Sequence, residues 1–228
     1  MRRTVILTAL CCSLLLSTAA EAQWADVGQD ARSLLTPGNL MLLAGGLGLA
    51  RMSHAWDHRV NGSLDENPVL ETIDFTNLVN RSSFNLPAAF MVYAYGRASG
   101  NDELRTVSSD VLRALVAVQI VVGPIKHTVG RQRPDGSNDL SFPSGHTANA
   151  VAVAEVLRGR YGWKVGAPMY ALGALTGIGR MEENVHHLSD VVAGAAFGYV
   201  IGRTINRRSE SRLNVTPTGK GLAVAIRF

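Results

Sequence analysis

His186 and Asp190 lie four residues apart where an apolar run begins. Residues at this spacing share a face of a helix, so the Asp190 carboxylate can fix the tautomer of the His186 imidazole and stabilise its cation. A histidine supported in this way is a candidate nucleophile. His146 begins another apolar run and is a candidate to protonate a leaving oxygen. These residue types predict nucleophilic catalysis assisted by a general acid.

Five further residues predict an anion site, namely Lys126, Arg133, Arg180, Ser144 and Gly145. The arginines offer planar forks of donors and the lysine offers a point charge. Pro143 and the two residues after it predict a helix start, whose free backbone N–H groups and positive dipole end attract anions. Glycine also lets the backbone approach a ligand closely. Phosphate is the anion that fits this set best.

Six apolar stretches rich in Ala, Gly, Val and Leu are predicted to be the helices that position these residues, because they lack the alternation of half-buried strands. They are Asn39–Ala50, Phe84–Tyr95, Val111–Ile125, Thr147–Leu157, Val165–Ile178 and Val191–Ile201. We expect an all-α, six-helix up-and-down bundle. In such a bundle the end of one helix lies beside the start of the next, so the active site gathers at one end.

The remaining segments give the domain organisation. Arg2 and Arg3, an apolar run and Ala20-Glu21-Ala22 are typical of a secretory signal peptide over residues 1–22, with an uncleaved signal anchor as the alternative. Residues 23–212 are predicted to form the helical domain. Residues 213–228 are predicted to form a short extended tail, because apolar side chains alternate along GLAVAIRF. No cysteine follows Cys12, so no disulfide is expected despite the oxidising export route.

Membrane topology is predicted from run length and charge, and the two disagree. The apolar runs are shorter than the roughly 20 residues of a spanning helix, which favours a bundle that does not span. If the helices did span, the basic end would be cytoplasmic and the active site would face the periplasm. The basic loop residues are Arg97, Arg105, Arg158, Arg160, Lys164, Arg203, Arg207 and Arg208. Six crossings from an exported start place the active site inside instead. We therefore expect an exported protein, periplasmic or membrane-associated, with a periplasm-facing site.

Net charge limits the kinds of ligand that we expect this protein to bind. The net charge of +4 becomes +3 without Arg2, Arg3 and Glu21, and no dense basic tract indicates nucleic acid. Anionic ligands or lipid head groups suit this mild charge.

Four other histidines and one aspartate are set aside. His54, Asp57 and His58 have zinc-binding spacing but no fourth ligand, so we interpret them as solvated and expect no metal. His127 and His187 should point away from the site on helical geometry.

Three spaced motifs resemble the type 2 phosphatidic acid phosphatase and vanadium haloperoxidase superfamily. They are KHTVGRQRP at 126–134, PSGH at 143–146 and GRMEENVHHLSD at 179–190. Every charged or catalytic position of the superfamily pattern is present. Two departures are Gly179, where the pattern has serine, and a link of only eight residues between the first two motifs.

The resemblance implies a hydrolase that works through a phosphohistidine. His186 would attack phosphorus with support from Asp190, and His146 would protonate the leaving alkoxide and then help water attack. The cations and the Ser144 and Gly145 amides would hold the phosphate oxygens, with no metal or cofactor, and vanadate would inhibit. The apolar bundle favours a lipid-linked phosphate as substrate. The alternatives are a vanadium-dependent haloperoxidase, an acid phosphatase for soluble phosphoesters, and a non-catalytic phosphate-binding or lipid-binding protein.

Overall fold

A computed structural model describes residues 29–30, 32–64, 82–218 and 221–226. These residues contain seven α-helices: α1 Pro37–Ser53, α2 Asp57–Leu64, α3 Ser82–Ala98, α4 Asp102–Val129, α5 Gly145–Tyr161, α6 Trp163–Glu182 and α7 Leu188–Arg212. A 3-10 turn at His54–Trp56 joins α1 to α2. Strands β1 Leu213–Thr218 and β2 Gly221–Ile226 then pair as an antiparallel hairpin. The fold is helical throughout its packed core, and the predicted signal peptide lies outside the described residues.

The prediction of an all-helical fold is confirmed, whereas the number of helices differs from the six expected. Each predicted apolar stretch lies inside a longer helix, because polar first and last turns extend it. The additional helix, α2, is short and polar. The predicted extended tail pairs with itself, with Leu213 opposite Ile226, rather than running as a single strand.

Helix α5 lies at the centre of the core. It packs against α4, α6 and α7, while α1 packs on α7 and α3 packs on α4. The buried side chains of α5 are mostly small, as at Ala148 and Ala152, and larger ones such as Phe197 and Ile201 of α7 fill the space beside them. The small residues bring the α5 and α7 backbones close together.

A row of glycines on α7 allows this approach. Gly194, Gly198 and Gly202 recur every four residues and therefore share one face of the helix. A Cβ atom at Gly194 would lie 2.3 Å from the Ser144 carbonyl oxygen, and one at Gly198 would lie 2.4 Å from the Ala148 carbonyl oxygen. Real Cβ atoms do not approach backbone oxygens so closely, so any side chain here would push α5 and α7 apart.

Two helices are longer than the apolar runs whose length favours a bundle that does not span. Asp102–Val129 and Leu188–Arg207 are long and apolar enough to cross by length and composition, although more than half of the apolar window of each is buried in the protein. A buried core helix can meet the same criterion, so this is weak support for spanning. Arg113, which lies within the predicted apolar run of α4, is buried and paired with Asp30 and Asp110.

Replacing Gly198 by alanine should destabilise the fold. The new Cβ forces the α5 and α7 backbones apart, and overpacking of this kind costs about 1–3 kcal/mol. For a chain of this size that predicts a thermal midpoint lower by roughly 2–10 °C. Gly45→Ala is the matched control, because a Cβ there meets no atom within 4 Å and alanine favours a helix. A midpoint for Gly198→Ala equal to or above that of Gly45→Ala would contradict the close contact.

Candidate active site

Asp190, in the first turn of α7, is fully buried and holds several segments together. Its Oδ2 atom accepts hydrogen bonds from the Ser141 hydroxyl at 2.5 Å and from the His187 N–H at 2.8 Å. Its Oδ1 atom accepts a bond from Arg131 at 2.6 Å. Its backbone carbonyl accepts a bond from the Ser144 N–H at 2.9 Å. Both carboxylate oxygens are therefore fixed in direction, as a buried carboxylate requires.

His186 is buried beside this carboxylate, just before α7 begins. Its Nδ1 atom lies 3.9 Å from Asp190 Oδ2, so the pair that four-residue spacing predicts is brought together. Burial lowers the pKa of His186 to about 4. Asp190 opposes the decrease, whereas the nearby Lys126 and Arg180 cations add to it. The imidazole is therefore neutral at pH 7, the form that can act as a nucleophile.

The start of α5 lies against the same site. Ser144 is the N-cap residue, with extended backbone dihedrals, and Gly145 begins the helix. The Lys126 side chain passes close to Gly145, since a Cβ atom there would lie 3.7 Å from Lys126 Cε. His146 follows in the first turn, with its Nε2 atom buried. The start of α5 therefore lies beside the Lys126 side chain, as predicted, and carries His146 in its first turn.

The three predicted phosphate-binding cations come from three separate segments at this end. Lys126, in the last turn of α4, donates to the Leu140 carbonyl oxygen at 2.8 Å. Arg133 lies in the loop after α4, where its buried Nε atom has no hydrogen-bond partner among the described residues. Arg180, near the end of α6, is buried and pairs with Glu183. The structure thus brings all eight predicted site residues to one end of the helical core.

Backbone hydrogen bonds hold the loops at this end within themselves and to one another. In the loop between α4 and α5, Ser141 donates its N–H to Arg131 O at 2.9 Å. The Asp135 N–H reaches across to Asn184 O at 2.9 Å in the loop between α6 and α7. Gly130, with φ of 58°, ends α4 in the left-handed region that glycine adopts most readily. The loops that carry Arg133 and His186 are therefore tied directly to one another.

The sequence interpretation missed four residues at this end, namely Arg131, Ser141, Ser189 and Asp57. Arg131 bridges Asp190 to Asp57, Ser141 donates to Asp190, and Ser189 donates to Asp57 through both its N–H and its hydroxyl. Arg131 stands two residues before Arg133 in the first motif, and this position was the one available signal. The sequence around Asp57 gave no signal of its contact with Ser189, because 132 residues separate the two.

The interpretation of Asp57 as solvated is wrong. Its side chain is 1% exposed and accepts bonds from Arg131 and His54 as well as from Ser189. Burial raises the pKa of the Asp57 carboxyl, but these hydrogen bonds outweigh it and bring the pKa below its usual value. His54 and His58 are exposed, as expected of solvated side chains. In the described part of the chain, no group of three or more His, Cys, Asp and Glu residues could hold a metal ion.

The two histidines set aside beside the motifs differ from each other. His127 is exposed at the end of α4. His187 is partly buried, and its ring packs edge-on against that of His58, with 6.4 Å between the ring centroids. Its backbone N–H contributes to the site by donating a hydrogen bond to Asp190.

The low pKa of His186 predicts a pH-dependent contribution to stability. The unfolded imidazole takes up a proton near pH 6.5, and the folded one does so only near pH 4. This contribution is therefore fully present above pH 6.5 and is lost as the pH falls towards 4, by on the order of 3 kcal/mol. We expect His186→Gln to lose less stability than the wild type between pH 7.5 and pH 4.5 in denaturant titrations. Equal losses for the two proteins would show that His186 is not protected from protonation.

Known proteins share this sequence pattern and fold. The sequence profile of the PAP2 superfamily matches residues 109–212. The lipid A 1-phosphatase of Porphyromonas gingivalis is 39% identical over 99 residues, which cover 42% of this chain and 22% of that protein. The undecaprenyl-diphosphatase BcrC of Bacillus subtilis is 35% identical over 88 residues, which cover 38% of this chain and 44% of that protein. This chain therefore spans less than half the length of either relative.

The fold of this chain is also similar to that of a solved PAP2 type structure. The crystal structure of a transmembrane PAP2 type phosphatidylglycerolphosphate phosphatase from Bacillus subtilis superposes with a TM-score of 0.63 at 22% identity, covering 75% of this chain and 96% of that one. The resemblance predicted from the three motifs is thus confirmed. The segment that matches the PAP2 superfamily profile, residues 109–212, holds all eight predicted site residues.

Proposed function

We propose that this protein is a metal-independent phosphatase that hydrolyses lipid-linked phosphomonoesters or diphosphates through a phosphohistidine at His186. One observation carries the proposal. The buried, neutral imidazole of His186 lies beside the Asp190 carboxylate, and the positive charges of Lys126 and Arg180 are close enough to lower its pKa. A nucleophile with an orienting carboxylate on one side and fixed positive charge nearby suits attack on a phosphoryl group.

In the first step, His186 forms a bond to phosphorus while the bond from phosphorus to the leaving oxygen breaks. Nδ1 faces Asp190, so we assign Nε2 as the attacking atom. His146 donates a proton to the leaving oxygen, and Asp190 stabilises the imidazolium character that develops on His186. The fixed cations and the amides at the start of α5 offset the charge on the phosphoryl oxygens.

In the second step, water attacks the phosphohistidine. His146, now deprotonated, accepts the proton of that water, the bond between nitrogen and phosphorus breaks, and inorganic phosphate leaves. The charge stabilisation comes from Lys126, Arg133 and Arg180, so no step requires a metal ion or cofactor.

Two observations support a lipid-linked substrate. By name, the relatives from P. gingivalis and B. subtilis act on lipid A and on undecaprenyl diphosphate. In addition, α1 and α3 present large apolar side chains that are more than 40% exposed, namely Leu40, Met41, Leu49, Met52, Phe84, Phe90, Met91, Val92 and Tyr95. Apolar surface of this extent suits contact with lipid. We infer that the protein is exported and lies in or on a membrane with its active site towards the periplasm.

Replacing His186 should abolish phosphate release. We expect purified protein to release phosphate from lipid phosphates and diphosphates in the presence of EDTA, with inhibition by vanadate, a mimic of five-coordinate phosphorus. In His186→Ala the rate should fall by roughly 1,000-fold or more, since the attacking atom is lost. Colorimetric phosphate release measures the rate, and alkaline gels of protein incubated briefly with labelled substrate detect phosphohistidine.

The matched control is His127→Ala, because His127 is exposed next to Lys126 and is absent from the proposed mechanism. It should keep the wild-type rate. Activity that survives in His186→Ala, or that EDTA removes, would overturn the mechanism. Soluble phosphoesters cleaved faster than lipid ones would overturn the substrate class, and halide oxidation by vanadate-loaded protein without phosphatase activity would favour the haloperoxidase.

Single cysteines test the orientation. Ser137 is exposed in the loop at the active-site end, and Ser99 is exposed between α3 and α4 at the other end. We expect Ser137→Cys, in a background where Cys11 and Cys12 are replaced by serine, to react in intact Gram-negative cells with a maleimide that cannot cross the inner membrane. Labelling is read from a gel shift, with lysed cells as the control for reactivity.

The Ser99→Cys variant separates the two forms of this proposal. If only Ser137→Cys reacts, the protein spans the membrane with its site outside. If both variants react, the protein is exported without spanning. Reaction of Ser99→Cys alone, or of neither variant in cells while both react after lysis, would contradict a periplasm-facing site.

A further inference from the structure

We propose that Arg131 and Asp57 are positioning residues for this reaction: Asp57 orients Arg131, and Arg131 holds the Asp190 carboxylate in line with His186. The inference rests on the proposed function and extends it to two residues that do not belong to the charged set predicted to hold phosphate. It also gives a role to the polar segment at the start of α2, which lies far from the three motifs in sequence.

The guanidinium of Arg131 is divided between two carboxylates. Its Nη1 atom donates to Asp190 Oδ1 at 2.6 Å and to the Ser189 hydroxyl at 2.7 Å. Its Nη2 atom donates to Asp57 Oδ2 at 2.8 Å. A planar fork with fixed donor directions can bridge two anions in this way, whereas a lysine ammonium cannot match both. The position of one carboxylate therefore sets the direction of the other.

Asp57 is suited to orient the Arg131 guanidinium because hydrogen bonds fix both oxygens of its own carboxylate. Its Oδ1 atom accepts the Ser189 N–H at 2.9 Å, and its Oδ2 atom accepts from the Ser189 hydroxyl, Arg131 and His54 Nδ1 at 2.8, 2.8 and 2.6 Å. Ser189 immediately precedes Asp190, so Asp57 also anchors the backbone of the first turn of α7. An anion held by this many donors has little freedom to move.

The charge of Arg131 has to be balanced by Asp57 if Asp190 is to keep its influence on His186. Arg131 alone would draw charge away from Asp190 and weaken its support of an imidazolium at His186. Asp57 offsets Arg131, so the sequence of charges is negative, positive, negative along a path leading to His186. Asp190 Oδ2 meanwhile remains directed to the His186 side by Ser141 and the His187 N–H.

The same chain contains a matched arrangement elsewhere. Arg113 is buried between Asp30 and Asp110, with bonds of 2.8 Å to each Asp30 oxygen and 2.9 Å to Asp110. Arg113 lies thirteen residues before Lys126 on α4, about 20 Å along the helix axis. Removing an aspartate from either cluster breaks a buried ion pair and lowers stability. Only the Arg131 cluster contacts Asp190 in the candidate active site. Asp30→Asn is therefore a control for stability without a role in positioning.

The experiment compares Asp57→Asn with Asp30→Asn, both of which keep side-chain volume. With the full-length protein and a lipid phosphate substrate, we expect Asp57→Asn to lower kcat by about 10-fold to 100-fold while KM changes by less than about twofold, because Asp57 acts through Asp190 and not on the substrate. Asp30→Asn should lower the thermal midpoint but keep kcat. A kcat for Asp57→Asn equal to the wild-type value, or equal to that of Asp30→Asn, would overturn the inference.

A second variant covers the case in which Asp57→Asn does not fold. Arg131→Lys keeps the positive charge but cannot reach both carboxylates, so kcat should fall with KM little changed. In an Asp190→Asn background the same substitution should have almost no further effect, because the group through which Arg131 acts is altered. A further loss of the same size in that background would mean that Arg131 acts independently of Asp190. Wild-type protein that releases no phosphate would instead reject the proposed function itself.

Discussion

The buried carboxylate of Asp190 is the constraint on which the active-site end depends. A charge removed from water is tolerated only when donors surround it, and here the donors come from separate parts of the chain. Ser141 and Arg131 approach from the loop after α4, and the His187 N–H comes from the turn before α7. Because the Asp190 carbonyl also takes the Ser144 N–H, the start of α5 is set relative to the same residue. Satisfying one anion therefore fixes the position of His186 and of the helix terminus together.

Close packing of α5 on α7 makes that arrangement possible. The bond between Ser144 and Asp190 requires the two helix starts to lie almost in contact, and Gly194 leaves the necessary space beside the Ser144 carbonyl. Gly198 continues the close approach one turn further on. Larger residues on this face would separate the helices and lengthen the bonds at the active site. The small residues that would lower hydrophobic burial in an ordinary core thus serve the geometry of the site.

The parts of this protein that were predictable from sequence are those with local signals. Helical periodicity located the core helices, and the four-residue spacing of His186 and Asp190 predicted that their side chains would meet. They do meet, although His186 lies just before α7 and not within it. The clustering of Lys126, Arg133 and Arg180 followed from the alternation of helix ends. Asp57 could not be found in this way, because its burial depends on partners more than 70 residues away along the chain. A polar helix with exposed histidines gives the same local pattern whether its aspartate is solvated or buried.

Electrostatics links the residues proposed to bind phosphate to the protonation state of His186. Lys126 and Arg180 lower the pKa of His186 in addition to burial, so the same charges that would hold phosphate also keep the imidazole neutral before substrate arrives. In the proposed reaction a phosphate dianion between these cations offsets their effect on His186. The imidazole becomes more basic as the substrate binds, and Asp190 then has the larger influence on it. Arg131 does not follow this pattern, because its charge is already matched by two carboxylates. In the proposed mechanism, Lys126 and Arg180 therefore respond to substrate, whereas Arg131 holds the Asp190 carboxylate in place.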